Sequence, residues 1–149
     1  MQLSAVREAI AVAASAVVLP ANAGTLTCFG YTPDSVVAPC FFTGEVDVNF
    51  DRTFGRGLDE LEVTCRVLAG RGDDKSSQVV LDAMLSGGGT ASLKKAIEAA
   101  RGAPGQMALG GLADDLHLMR VQGYRWYEHA GTQYVGAELI IKVIGPGGT

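Results

Sequence analysis

Glu128 and His129 stand side by side near the C-terminus. A carboxylate beside an imidazole is the elementary unit of general acid–base catalysis. Here the pair falls in a short segment between two strand patterns, exposed and with no third group to orient it. Cys28 is a conceivable nucleophile for the same small-enzyme reading. The three cysteines, Cys28, Cys40 and Cys65, are widely spaced, form no C-x-x-C, and have only His117 and His129 as companions. That set does not build a zinc site. Cys65 shares parity with Leu61, Val63 and Val67 and reads as a small buried hydrophobe. Asp47, Asn49 and Asp51 match the opening of a calcium loop. Such a loop then needs glycine at its sixth position and glutamate at its twelfth; this chain has Arg52 and Leu58 there. Arg71-Gly72-Asp73 joins a strand pattern to a helix pattern, so Gly72 permits a turn and Asp73 caps a helix. The glycines between 105 and 111 lack the Gly-Lys-Ser/Thr of a phosphate loop, and G-x-S-x-G does not occur. These residues compose no catalytic set, no cofactor site and no metal site.

A different chemistry is concentrated between 120 and 127. Arg120, Gln122, Tyr124, Arg125, Trp126 and Tyr127 follow one another on a strand pattern. Arginine and aromatic side chains dominate the energies of protein interfaces. Strand alternation turns half of this set inward: either Tyr124 and Trp126, or Arg125 and Tyr127. The outward half, with Arg120, is expected to contact another copy. The polar segment 51–57 adds Asp51, Arg52 and Arg56, whose mixed charges suit a neighbour's complementary edge. Glu45, Asp47 and Asp51 form an acidic strand face. Negative charge there would repel phosphate, so this is the candidate face for a channel that nucleic acid passes without sticking.

These residues need a scaffold. Residues 115–127 and 132–144 read as two strands joined at 128–131, a β-hairpin. In the second, Val135, Ala137, Leu139, Ile141 and Val143 share one face and Glu138 and Lys142 the other. Residues 40–50 and 61–69 form an earlier pair of strands. In the first of these, Phe42, Val46, Val48 and Phe50 are expected on one face and Thr43, Glu45, Asp47 and Asn49 on the other. Residues 25–29 form a short strand, 32–35 a turn and 102–111 a glycine-rich loop. A helix begins at Asp73 or Asp74 with Val80, Leu81, Met84 and Leu85 as its stripe. Another carries Leu93, Ala96, Ile97 and Ala100, with Lys94, Lys95 and Glu98 facing away.

The N-terminus permits two readings. Arg7, an apolar run and Ala21-Asn22-Ala23 imitate a secretory signal, which would make the chain a secreted binding module. Leu3, Val6, Ile10, Ala13 and Val17 instead form a helical stripe, and Glu8 interrupts the would-be signal. The pattern therefore predicts a retained helix over 3–18, ended by Pro20. The run is too short to span a bilayer. The resulting fold class is α+β: a mainly antiparallel sheet of two β-hairpins, with an N-terminal helix and two central helices packed on one face.

The composition agrees with a single domain over 1–149. Hydrophobic residues make up 48% and charged residues 19%, enough for a real core. A net charge of −4 argues against a surface that neutralises nucleic acid. Unpaired, scattered cysteines fit a reducing compartment.

Several segments resemble the tail terminator proteins of long-tailed bacteriophages, particularly those of actinobacterial hosts. They are V-A-P-C-F-F-T-G-E-V from Val37, L-D-E-L-E-V-T-C-R-V-L from Leu58 and the D-D-K helix start at Asp73. S-L-K-K-A-I-E from Ser92, R-V-Q-G-Y-R-W-Y from Arg120 and G-A-E-L-I-I-K-V-I-G from Gly136 complete the set. The resemblance implies a non-enzymatic virion protein, assembled in the host cytoplasm. It would form a hexameric ring that caps the tail tube, ends its growth and joins the head connector, with DNA passing through. A head-closure or tail-completion protein is the neighbouring alternative.

Overall fold

The computed structural model describes residues 1–20, 24–50, 57–71, 75–103 and 105–146. The chain is α+β, with three α-helices and a five-stranded mixed sheet among those residues. In chain order the elements are α1 (Leu3–Ala14), β1 (Thr27–Phe29), β2 (Cys40–Asn49) and β3 (Leu58–Arg71). They continue with α2 (Lys75–Leu85), α3 (Leu93–Glu98), β4 (Asp115–His129) and β5 (Thr132–Pro146). The strand order is β1-β2-β3-β5-β4. β1 runs parallel to β2, and every other neighbouring pair is antiparallel.

Helix α1 forms because Val6, Ile10 and Ala14 recur on one face, and all three are fully buried. The helix is shorter than the expected 3–18. After Ser15 the chain tightens into a turn, and the Val18 amide leaves it to bond Thr90 O at 2.8 Å. The buried stripe also runs through Ala14 rather than Ala13, and Leu3 is exposed. Arg7 seats the helix: its guanidinium donates to Thr43 Oγ1 and to Thr43 O on β2. Gly30 allows the approach, since a Cβ there would come within 2.8 Å of Glu8 Cα.

Helix α2 buries Ser77, Leu81 and Met84. Helix α3 starts at Ser92, whose hydroxyl accepts from the Lys95 amide, and it buries Leu93 and Ile97. All three helices cover the same sheet face. Their apolar residues meet Phe41, Leu61, Val63, Cys65, Val67, Leu116, Leu118, Ala137, Leu139 and Ile141 in one continuous core. The expected parity of β3 and β5 therefore holds, and Cys65 is a buried core thiol.

β2 departs from the expected alternation. Thr43 pairs with Cys65 and Val46 with Val63, so one extra residue is inserted at Gly44-Glu45. A bulge reverses the parity beyond it. Phe42 consequently lies on the face opposite Val46 and Val48, and Thr43 is buried against Arg7. Phe50, just past the end of β2, is exposed. The closing turn is also tighter than 128–131. Glu128 and His129 belong to β4, and only Ala130 and Gly131 connect the strands. Both have positive φ, at 51° and 82°, the sign that a two-residue type I′ loop demands.

Candidate interaction surface

β4 ends the sheet, so its outer edge has no strand partner among the described residues. An edge of fifteen residues is long, and such edges invite pairing unless they are interrupted. Two bulges interrupt this one. The first lies between Leu118 and Arg120 and the second between Gln122 and Arg125. Gly123, at φ 64°, supplies the left-handed residue of the second. Each bulge flips the strand, and this explains why both faces looked decorated in the sequence. Before the first, Leu116 and Leu118 are core. After it, Val121 sits opposite Leu139 on the helix side, and Arg120 and Gln122 turn to the open side. After the second, Trp126 lies opposite Val135 on the helix side, and Tyr127 opposite Tyr134 on the open side.

Neither alternative for the aromatic run holds as a set, because the bulges break the alternation: Tyr127 alone is buried, and Tyr124, Arg125 and Trp126 are exposed. Tyr127 joins Cys40, Phe42 and Leu68 in a small second cluster on the open face. Its hydroxyl donates to Gly123 O at 2.5 Å, which ties the ring to the bulge. The guanidinium of Arg66 lies 4.3 Å from the ring centroid and that of Arg125 4.9 Å. Burial, and next the Glu138 carboxylate, raise the Tyr127 phenol pKa. Sequence reasoning missed Arg66 and the Tyr127 cluster. The cue was the glycine within an otherwise continuous strand pattern.

The outward residues divide by face. On the helix side Met119, Val121, Tyr124 and Trp126 are exposed, Trp126 at 58%. Tyr124 Oη donates to Asp82 Oδ1 on α2 at 2.8 Å. Between α2, α3 and β4 runs a groove of about 150 Å³, floored by Met84, Leu85, Leu118 and Leu139, with Lys94 at its rim. On the open side the charges interleave. Arg66 pairs with Glu138 at 3.1 Å, Lys142 with Glu60 at 3.3 Å, and Arg120 approaches Glu62 at 4.0 Å. Glu45 and Asp47 are exposed on this same face and form no ion pair among the described residues. The acidic pair thus shares its face with compensating cations. Asp51, Arg52 and Arg56 lie outside the described residues, as does the helix start at Asp73 and Asp74.

The groups that could do chemistry are occupied otherwise. His129 Nε2 lies 2.8 Å from Pro33 O, and its ring leans on Phe42 at 5.7 Å. It fastens the end of β4 to the segment after β1, while Glu128 points to solvent. Burial pushes the Cys28 thiol up to about 12, helped by Cys40, and the Cys40 thiol up to about 11; Cys65 is raised as well. The thiolate is the reactive form, so a thiol held this high is almost wholly protonated and unreactive near neutral pH. Native protein at pH 8 should therefore react with a disulfide reagent such as DTNB roughly 100-fold more slowly than free cysteine. Full reactivity of all three thiols should return in guanidinium. A fast-reacting thiol in the native state would reopen the nucleophile reading. Among the described residues no group of three or more His, Cys, Asp or Glu side chains is placed to hold a metal ion. No helix among them is long and apolar enough to cross a membrane.

No protein-family model matches the chain, and no curated protein matches it.

Proposed function

We propose that this protein is a non-enzymatic, ring-forming virion component of the tail-terminator kind. It would cap the tail tube, end tube growth and meet the head connector, with DNA passing through the ring. The observation that carries this reading is β4: an edge strand that exposes Met119, Val121, Tyr124 and Trp126 beside Arg120 and Arg125. A monomer has little use for so much apolar and arginine-rich surface at an open edge. The segments from Arg120 and Gly136 that carry the resemblance are this same strand and its partner β5. In this reading the sheet consists of two functional hairpins, β2–β3, whose strands are joined in sequence through 51–56, and β4–β5, turned at Ala130-Gly131. Head-to-tail contacts close a ring only if two different patches meet. The loop residues Asp51, Arg52 and Arg56 and the β4 residues Arg120, Arg125 and Trp126 are the candidate patches. Glu45, Asp47 and Asp51 are assigned to the channel side.

The test is Arg52→Glu combined with Arg125→Glu. Circular dichroism should be unchanged. In mass photometry, with and without purified tail tubes, the concentration for half-assembly should rise by at least about tenfold, the scale on which interfacial charges act. Tails grown with the variant should lose their uniform length. Wild-type protein that stays monomeric even on tubes would reject the ring.

A further inference from the structure

Phe50 follows the last residue of β2 and is 75% exposed. Exposure of a whole phenyl ring at a strand end leaves an aromatic knob, with Asp47 three residues before it on the open face. The groove between α2, α3 and β4 is its counterpart in shape. Its volume is about 150 Å³, and an apolar cavity of roughly that size accepts a benzene ring. Its floor is aliphatic and methionine-rich, Lys94 stands at its rim, and the guanidinium of Arg120 lies beyond the strand on the open face, toward Glu62. Both cations retain intramolecular acids, Glu98 for Lys94 and Glu62 for Arg120, but each also faces solvent. Phe50 is separated from the groove by the width of the sheet, because β3 and β5 intervene between β2 and β4. Knob and groove therefore occupy different sides of one molecule. That is the heterologous arrangement a closed ring requires.

We infer that Phe50 of one copy inserts into the Leu118–Val121 groove of the next, with Asp47, on the open face, drawn toward the neighbour's Arg120 on that same face. This rests on the ring reading above and names its contact. The knob is large and apolar, the hole is preformed, and Asp47 and Arg120, of opposite charge, stand on the same open face. A buried aromatic anchor in a pocket is the usual centre of an interface hot spot.

Phe50→Asp and Val121→Asp test it. Both positions are exposed, so circular dichroism and the thermal midpoint should stay near wild type. Each variant alone should need about 30-fold or more protein to assemble, the effect of losing one hot-spot residue. Phe50→Leu should assemble with a smaller loss. An equimolar mixture of Phe50→Asp and Val121→Asp keeps one intact groove and one intact knob. It should give heterodimers, and nothing larger, at concentrations where the wild type assembles fully. Wild-type-like rings from Phe50→Asp, or a mixture that stays monomeric, would overturn this contact and leave the ring reading standing. Wild-type protein that never assembles would overturn both.

Discussion

A chain lacking residues 1–23 is expected not to fold. Val6, Ile10 and Ala14 are completely buried in the main core. Burying a side chain of valine or isoleucine size stabilises by about 1.5–3 kcal/mol. Deletion also uncovers the sheet residues that α1 shields, and it leaves Thr43 without Arg7. A domain holds only about 5–15 kcal/mol in total, so these losses together are on the scale of its whole stability. The truncated chain should lack a cooperative thermal transition and should accumulate as aggregate. The same physics bears on the signal-like reading of the N-terminus: cleavage after Ala23 would remove a core helix. Intact-mass measurement should accordingly find protein that retains α1. A truncated protein with wild-type circular dichroism and a sharp melt would show that α1 is dispensable.

That helix illustrates what periodicity can and cannot reveal. The stripe at Val6 and Ile10 is a repeated signal, and repetition survives an error of one residue at either end. The helix terminus is set instead by a tertiary bond from Val18 to Thr90, which no local pattern records. Strand alternation is more fragile. It was legible in β3 and β5, where inward residues continue without interruption from Leu61 to Val67 and from Val135 to Val143. In β2 and β4 single inserted residues reverse the faces. Phe42 therefore read as sharing a face with Val46 and Val48 and lies on the other, while Phe50, beyond the last residue of β2, is exposed. Tyr127 read as one of two equal alternatives and is the plug of a second cluster. Parallel pairing of β1 with β2 was also hidden, because three residues carry too little pattern to fix a partner.

The candidate surface was legible in residue type and not in direction. Arg120, Arg125 and Trp126 are exposed, as their composition suggested. Yet Trp126 projects to the helix side, and Arg125 lies across the Tyr127 ring on the open side. Glu45 and Asp47 share their face with Arg66 and Lys142, so any repulsion of phosphate depends on the balance of that face rather than on two carboxylates alone. The groove could not be read from sequence at all. Its walls come from α2, α3, β4 and β5, which meet only in the folded chain.

Leu139→Ala is expected to cost roughly 2–5 kcal/mol, the range for a buried leucine cut back to the β-carbon. Leu139 is 1% exposed and sits in β5 between Cys65 of β3 and Val121 of β4. Within that range the size of the effect depends on whether the hole can be refilled. On one side the neighbours are sheet residues held by two ladders, which cannot collapse inward. On the other, Leu139 floors the groove with Met84, Leu85 and Leu118. Met84 and Leu85 have flexible side chains that can sag into the space, and water can reach it from the open mouth. Ile141 is fully buried between Val63 and Leu118 and does not line that groove. Ile141→Ala should therefore cost more than Leu139→Ala. Chemical denaturation reads both, with the midpoint falling and the slope unchanged. A Leu139→Ala loss under about 0.5 kcal/mol is the scale of a surface change and would place Leu139 on solvent. Because Leu139 also floors the hole proposed to receive Phe50, the same variant should weaken assembly even where the monomer remains folded, by enlarging the pocket and removing contact from the ring it holds.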